Sequence, residues 1–159
     1  MQGTIVQVSI SRGGVPKLPV AQAAISPFGL DGDSHARPQI HGGPRQAVLI
    51  VTLEGINELV ERGYPLFPGA LGENLTTRGL DRREIRAGHQ IRAGSAMLEI
   101  TKPRGPCATL DVYGAELKHE IRTKDPTSPV WGLGGFYARV LSPGIVRPED
   151  IIEVVAVLA

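Results

Sequence analysis

Lys102-Pro103-Arg104-Gly105-Pro106-Cys107-Ala108-Thr109-Leu110 holds the only cysteine of the chain, behind two prolines and a glycine that make the run stiff and non-helical. Upstream, Met97-Leu98-Glu99-Ile100 reads as a strand; downstream, residues 108–117 read as helical. Cys107 is therefore expected where a strand-exit loop turns into a helix. There the thiol would face the partial positive charge of a helix N-terminus, with Arg104 three residues away and Lys102 behind it. Both effects favour the thiolate, which is the nucleophile and the soft metal ligand. Alone, a single cysteine is more often a small buried hydrophobe. The weight of the reactive reading comes from the rest of the chain.

To either side of this loop the sequence is a series of short apolar runs separated by turns. The 20 glycines and 13 prolines are scattered without a repeat, which suits many short strands rather than a helical bundle. Thr4-Ile5-Val6-Gln7-Val8-Ser9-Ile10 is β-branched and partly alternating, a good first strand. Residues 20–25 form a weaker one, and residues 29–44 a long polar, glycine-rich loop. Gln46-Ala47-Val48-Leu49-Ile50-Val51 is nearly all apolar, as in a strand buried on both faces. Thr52 can cap a helix over residues 53–62, with Ile56, Leu59 and Val60 on one face and Gly63 ending it. Residues 73–77 lead into a strand, and 85–91 pairs with 96–101 through Ala93-Gly94-Ser95. Leu110, Tyr113, Leu117 and Ile121 recur at helical spacing, with a bend near Gly114. Residues 134–141 and 151–157 supply the last two strands, with Ser142-Pro143-Gly144 turning between them.

About seven antiparallel strands must hide their edges, and closing the sheet does so most completely. The expected architecture is mainly β: a small closed barrel with two or three short helices at its rim and the cysteine loop at its mouth. A sandwich shares the same periodicity. All 159 residues fit one domain, which buries roughly two-thirds of its unfolded surface. Seventeen basic residues nearly balance sixteen acidic ones, which argues against bulk electrostatic binding of nucleic acid. Aromatic residues are only 4% of the chain, too few for a base-stacking platform. One cysteine cannot form an internal disulfide, no apolar run reaches membrane-spanning length, and Met1-Gln2-Gly3-Thr4 opens no signal peptide. The expectation is a soluble, cytoplasmic protein with no nucleic-acid or membrane partner.

Three polar islands interrupt this apolar framework. The first is Asp31-Gly32-Asp33-Ser34-His35 followed by His41-Gly42-Gly43-Pro44-Arg45, the second Gly72-Glu73-Asn74-Leu75, and the third the Cys107 loop. Asp31, Asp33, His35 and His41 can be drawn as metal ligands, but their spacing matches no helix-borne pair of histidines. Gly42 and Gly43 more plausibly let backbone amides approach an anion, with Arg45 adding charge. Gly132-Leu133-Gly134-Gly135 precedes a strand, so it does not read as a nucleotide loop.

In this order and spacing the islands resemble the MOSC domain family, named for the C-terminal part of molybdenum cofactor sulfurases and also occurring as stand-alone bacterial proteins. The matching stretches are Gly32-Asp33 with His41-Gly42-Gly43, Gly72-Glu73-Asn74-Leu75, and Pro103-Arg104-Gly105-Pro106-Cys107. Gly135-Phe136-Tyr137-Ala138-Arg139-Val140 with Pro143-Gly144 resembles the family's closing hairpin, so the likeness runs over about residues 30–155. The resemblance implies a barrel of the pyruvate-kinase type and a site for a molybdenum–pterin cofactor. In such proteins the cysteine is either a molybdenum ligand or a carrier of sulfur as a persulfide, and by motif it is Cys107 here. Arg45, Arg104 and Lys102, with the His41-Gly42-Gly43 backbone, are then candidates to hold the cofactor's phosphate and pterin. Asn74 could hydrogen-bond a pterin edge. Glu73 could do the same or could fix its own loop by accepting backbone amides.

What the resemblance implies for function divides three ways. One reading is a molybdenum-dependent reductase of N-hydroxylated small molecules. A second is a carrier, in which Cys107 passes sulfur or the pterin cofactor to another protein. A third is a barrel that binds an anionic small molecule beside an inert cysteine. The chain shows no aminotransferase-like part, no lysine in a pyridoxal-phosphate setting, no cysteine cluster and no dinucleotide fingerprint. Redox turnover would therefore need a separate electron donor, and the carrier role a sulfur donor or acceptor protein.

Overall fold

The structure, a computed structural model, describes residues 1–34 and 43–156. In chain order the strands are β1 (Gln2–Ile10), β2 (Leu18–Val20), β3 (Ala23–Ser26), β4 (Gly29–Leu30) and β5 (Val48–Thr52), followed by helix α1 (Leu53–Glu61). Then come β6 (Leu75–Arg78), β7 (Gln90–Ala93), β8 (Ala96–Pro103), a 3-10 helix at Ala108–Tyr113 and α2 (Leu117–Glu120). The last strands are β9 (Phe136–Ser142), β10 (Gly144–Val146) and β11 (Ile151–Ala156). Seven strands run in the order β11-β7-β8-β9-β5-β6-β1, and a further β1–β11 pairing closes the ring. All neighbours are antiparallel except β5 and β6, which α1 connects as a parallel pair. The fold is the expected mainly-β closed barrel, and closure decides against the sandwich. Two short strands not read from the sequence, β4 and β10, flank β3 in a small separate sheet.

β5 explains how the barrel is covered. Val48 and Ile50 point into the lumen with Ile5, Leu75, Leu98, Ile100 and Phe136, while Leu49 and Val51 point outward. The outer pair packs under Ile56 and Leu59 of α1, with Leu110, Leu117, Ile121 and Tyr137. The strand is buried along its whole length, as its unbroken apolar run requires. α1 starts where expected: Thr52 Oγ1 accepts from the Gly55 amide at 3.1 Å. Trp131 joins the lumen cluster edge-on to Phe136, with Nε1 donating to Ile85 O at 2.8 Å.

Three expectations shift. The strand expected at 85–91 begins only at Gln90, because Gly88 adopts φ 93° and breaks the extended run. Residues 20–25 split into two strands, since β2 pairs with β1 while β3 pairs with β10. Gly144 opens β10 rather than closing a plain turn. No helix among the described residues is long and apolar enough to cross a membrane.

Candidate functional site

The three polar islands converge, and the second one ties them together. In the loop before β6, the Asn74 amide donates to Leu49 O at 2.9 Å and Ser9 N donates to Asn74 O at 2.8 Å. Its side chain repeats the bridge: Oδ1 accepts from Leu49 N at 3.1 Å and Nδ2 donates to Ser9 O at 3.2 Å. Nδ2 also donates to Asp33 Oδ2 at 2.8 Å. Asn74 thus spends both side-chain donors pinning β1, β5 and the first island together, which leaves no N–H for a pterin edge. Its neighbour Glu73 is fully buried, and Oε2 accepts from Gly69 N at 3.0 Å and Thr76 Oγ1 at 2.8 Å. That is the loop-fixing arrangement, one of the two roles expected for it.

Asp33 is likewise committed. Oδ1 accepts from Ser11 N at 2.9 Å and from Lys17 Nζ at 2.6 Å, and the ion pair is buried with side chains 4% and 5% exposed. Lys17 Nζ also donates to Ser34 O at 3.2 Å. The Asp33 carboxylate is buried and already accepts from three donors, one of them a cation, so it is committed to the scaffold rather than offered to a metal; Asp31 is exposed. His35, His41 and Gly42 lie outside the described residues. Lys17 was missed in the sequence. The signal was a lone lysine inside Val15-Pro16-Lys17-Leu18-Pro19-Val20, where an unpaired charge would not be buried.

The third island leaves β8 and crosses this framework. Arg104 N donates to Gly135 O at 2.8 Å, and Nη1 donates to Leu71 O at 2.8 Å beside the second island. The side chain is 5% exposed, and its Nε has no hydrogen-bond partner among the described residues. Cys107 follows, half-buried, with extended backbone (φ −144°, ψ 137°), and caps the Ala108–Tyr113 3-10 helix. The Leu110 amide donates to Cys107 O at 3.1 Å, and Sγ lies 3.1 Å from Thr109 Oγ1. The expected helix is thus a six-residue 3-10 segment, broken at Gly114 before α2. Lys102 Nζ stands 5.8 Å from the centre of the Tyr137 ring. Thr101 Oγ1 donates to Arg45 O at 2.6 Å, which anchors the Pro44–Gln46 turn and its exposed Arg45 beside the end of β8. Gly43 opens that turn at φ 82°, with no described residue within 4 Å of where a side chain would start.

A cleft forms between these loops, lined by Lys17, Gln46, Leu49, Asn74, Arg104 and Tyr137, with Thr109 as the link to Cys107. Leu49 and Tyr137 belong to the outer hydrophobic layer, so the cleft opens on the outside of the β5–β9 wall and not at the barrel mouth. The mouth was expected because a closed barrel has two obvious ends; here the lumen is filled with side chains. Burial raises the Tyr137 hydroxyl above its ordinary pKa, Arg104 opposes that shift, and Cys107 adds to it. Cys107 and Arg104 therefore both act on one phenol at the cleft.

The donor set can be tested against a molybdenum–pterin group. Among the described residues no cluster of three histidine, cysteine or carboxylate side chains could hold a bare metal ion. The described residues therefore suit a metal that brings most of its own ligands and takes one soft donor from the protein, and a half-buried thiol can be that donor. A buried guanidinium with an unpartnered N–H suits an oxyanion such as a phosphate. The residues present fit the group.

A MOSC domain model matches residues 37–153. Protein YiiM of Escherichia coli (strain K12) is 29% identical over 136 residues, covering 83% of this chain and 58% of that protein. The uncharacterized protein YflK of Bacillus subtilis (strain 168) is 33% identical over 149 residues, covering 90% of this chain and 63% of that protein. The chain thus spans about three-fifths of the length of these two relatives. The crystal structure of YiiM from Geobacillus stearothermophilus superposes with a TM-score of 0.77 at 27% identity, covering 97% of this chain and 75% of that one. YiiM from Escherichia coli, at 22% identity and a TM-score of 0.73, shares the fold over 100% of this chain and 72% of that one.

Proposed function

Because this chain belongs to the MOSC domain family, which is associated with molybdenum cofactor binding, we propose that it binds a molybdenum–pterin cofactor in the outer-wall cleft and reduces N-hydroxylated small molecules. The observation that carries this reading is the pairing of a half-buried thiol, Cys107, with the buried Arg104, whose Nε lacks a partner among the described residues, on one four-residue segment. Cys107 is the metal ligand. Arg104, with Lys102, Arg45 and the Gly43 backbone, faces the phosphate and pterin, while Glu73 and Asn74 hold the loops that shape the cleft. The bound group supplies a metal that changes oxidation state while an oxygen atom is transferred. For the substrate, the N–O bond breaks, and two electrons and two protons convert the hydroxylamine to the amine and water. The electrons come from a separate protein, since the chain carries no cysteine cluster or dinucleotide fingerprint.

The test is elemental analysis of protein made in a host that synthesises the cofactor, followed by reduction of a hydroxylamine with a chemically reduced viologen. Near-stoichiometric molybdenum, lost in Cys107→Ala together with the activity, is the expected result. A carrier reading draws on the same partial exposure of Cys107. It is favoured instead if Cys107 holds cyanolysable sulfane sulfur, passes it to an acceptor, and purifies with substoichiometric metal.

A further inference from the structure

Arg104 and Glu73 are both buried, at 5% and 0% exposure, yet they form no ion pair within 4 Å among the described residues. Residues 35–42 contain no carboxylate, so that segment cannot supply the missing counter-charge to Arg104. A guanidinium stays charged in any protein setting, whereas a carboxyl can shed its charge by keeping its proton. The Glu73 carboxyl is fully buried with no cation at ion-pair distance among the described residues, the setting in which a carboxyl keeps its proton. Gly69 N and Thr76 Oγ1 both donate to Oε2, and Oε1 is buried without a hydrogen-bond partner among the described residues. Besides this amide and hydroxyl, the charged and titratable groups facing it are Arg104 from the Cys107 loop and Tyr113 from the 3-10 helix. Tyr113 Oη is itself buried without a hydrogen-bond partner among the described residues. Burial raises the Glu73 pKa, and this outweighs its hydrogen bonds and the pull of Arg104 in the opposite direction.

We propose that Glu73 is a neutral carboxylic acid beneath the cleft, and that its neutrality leaves Arg104, which lines the cleft, without a carboxylate to compensate it and so able to attract a bound oxyanion. Glu73 is then a positioning residue that acts through Arg104. An ionised Glu73 would draw the guanidinium inward and weaken the oxyanion site by roughly tenfold, the scale of one charge acting over several ångströms at an effective dielectric of about 20. The inference rests on the proposed function only for the identity of the anion as the cofactor's phosphate.

The experiment uses sulfate, which does not titrate between pH 6 and 8, and compares Cys107→Ser with Cys107→Ser/Glu73→Gln by calorimetry, so that the thiol is silent in both. At pH 6 the two proteins are expected to bind sulfate within about twofold of one another, because a glutamine replaces an acid that already carried no charge. A tenfold gain in the glutamine variant would show Glu73 to be an ionised counter-charge and overturn the proposal, as would the absence of sulfate binding in Cys107→Ser. Infrared spectroscopy of the single variant supplies a reading that needs no folded Glu73→Gln protein. A protonated, buried carboxylic-acid carbonyl band at pH 7 is expected, and a spectrum with carboxylate bands alone overturns the idea. Molybdenum content is measured separately. Its absence alongside the expected sulfate and infrared results removes the molybdenum reading and leaves the neutral Glu73, and the reverse pattern does the opposite.

Discussion

Lys17 and Asp33 show how much of this site is scaffold. Both side chains are almost wholly buried, and the Asp33 carboxylate collects the Lys17 ammonium, the Ser11 amide and the Asn74 side-chain amide. Removing one partner of a buried pair leaves an uncompensated charge, which costs about 3–5 kcal/mol. Asp33→Ala is expected to lose stability in that range in urea unfolding. The same substitution should release the residue 31–34 segment from Asn74 before the barrel itself melts, visible as faster amide exchange at Ser11 and Ser34. Glu73 behaves in the opposite sense. Its native pKa is raised, so the folded protein holds a proton that the unfolded chain has already released. Wild-type stability therefore falls as pH rises from the ordinary glutamate value toward the native one. Glu73→Gln has no such slope, and in measurements from pH 5 to pH 8 its stability relative to wild type should increase with pH until the native carboxyl titrates. A flat difference across that range would mean that the carboxyl titrates normally.

β5 and α1 were readable from local pattern because their physics is local. Five apolar residues in a row require two buried faces, and Thr52 with Gly63 brackets a helix whose ends satisfy their own backbone groups. Thr52→Ala removes the acceptor for the Gly55 amide at a buried cap and should cost about 1 kcal/mol, shifting the urea midpoint while leaving the m-value unchanged. β10 and its pairing with β3 were not readable, because each strand's partner lies about 120 residues away in sequence, and the late start of β7 turns on the positive φ that Gly88 adopts only in the fold. The site divides along the same line. The order of its three islands and the strand-to-helix setting of Cys107 are local features. The work done by Asn74 is not: its bridging partners are Ser9, 65 residues away, and Leu49, 25 residues away. Lys17 gave a local signal, an isolated charge in an apolar run, but only the fold identifies Asp33 as its partner.

Closing the sheet is what lets a chain of 159 residues place a cleft on the wall of the barrel, because a closed sheet has no edge to protect and its outer face is free to carry loops. The closure is narrow. Among the described residues β1 meets β11 through Gln2–Glu153, Gly3–Ile152 and Thr4–Ile151, supported by Val154 N to Met1 O, Ile5 N to Asp150 O and Glu149 N to Ile5 O. Farther along the same strand, β1 pairs with β6, and its far end receives the loop held by Asn74. Seam and site are thus two ends of one strand. Gly3 is the point where this arrangement has no slack: a side chain there would collide with the Arg78 carbonyl oxygen of β6 and crowd Leu80. Neither backbone can move aside without giving up ladder hydrogen bonds. Gly3→Val is therefore expected to part β1 from β6 or β11 and expose the lumen residues Ile5, Ile91 and Ile152. The loss should be about 3 kcal/mol, the upper end for overpacking a well-filled interior. The checks are a lowered melting temperature, increased binding of a dye for exposed apolar surface, and amide exchange at Thr4 and Ile152 that accelerates more than at Ile50. If exchange instead rises equally at all three positions, the barrel opens as one unit and the seam is not its weak point.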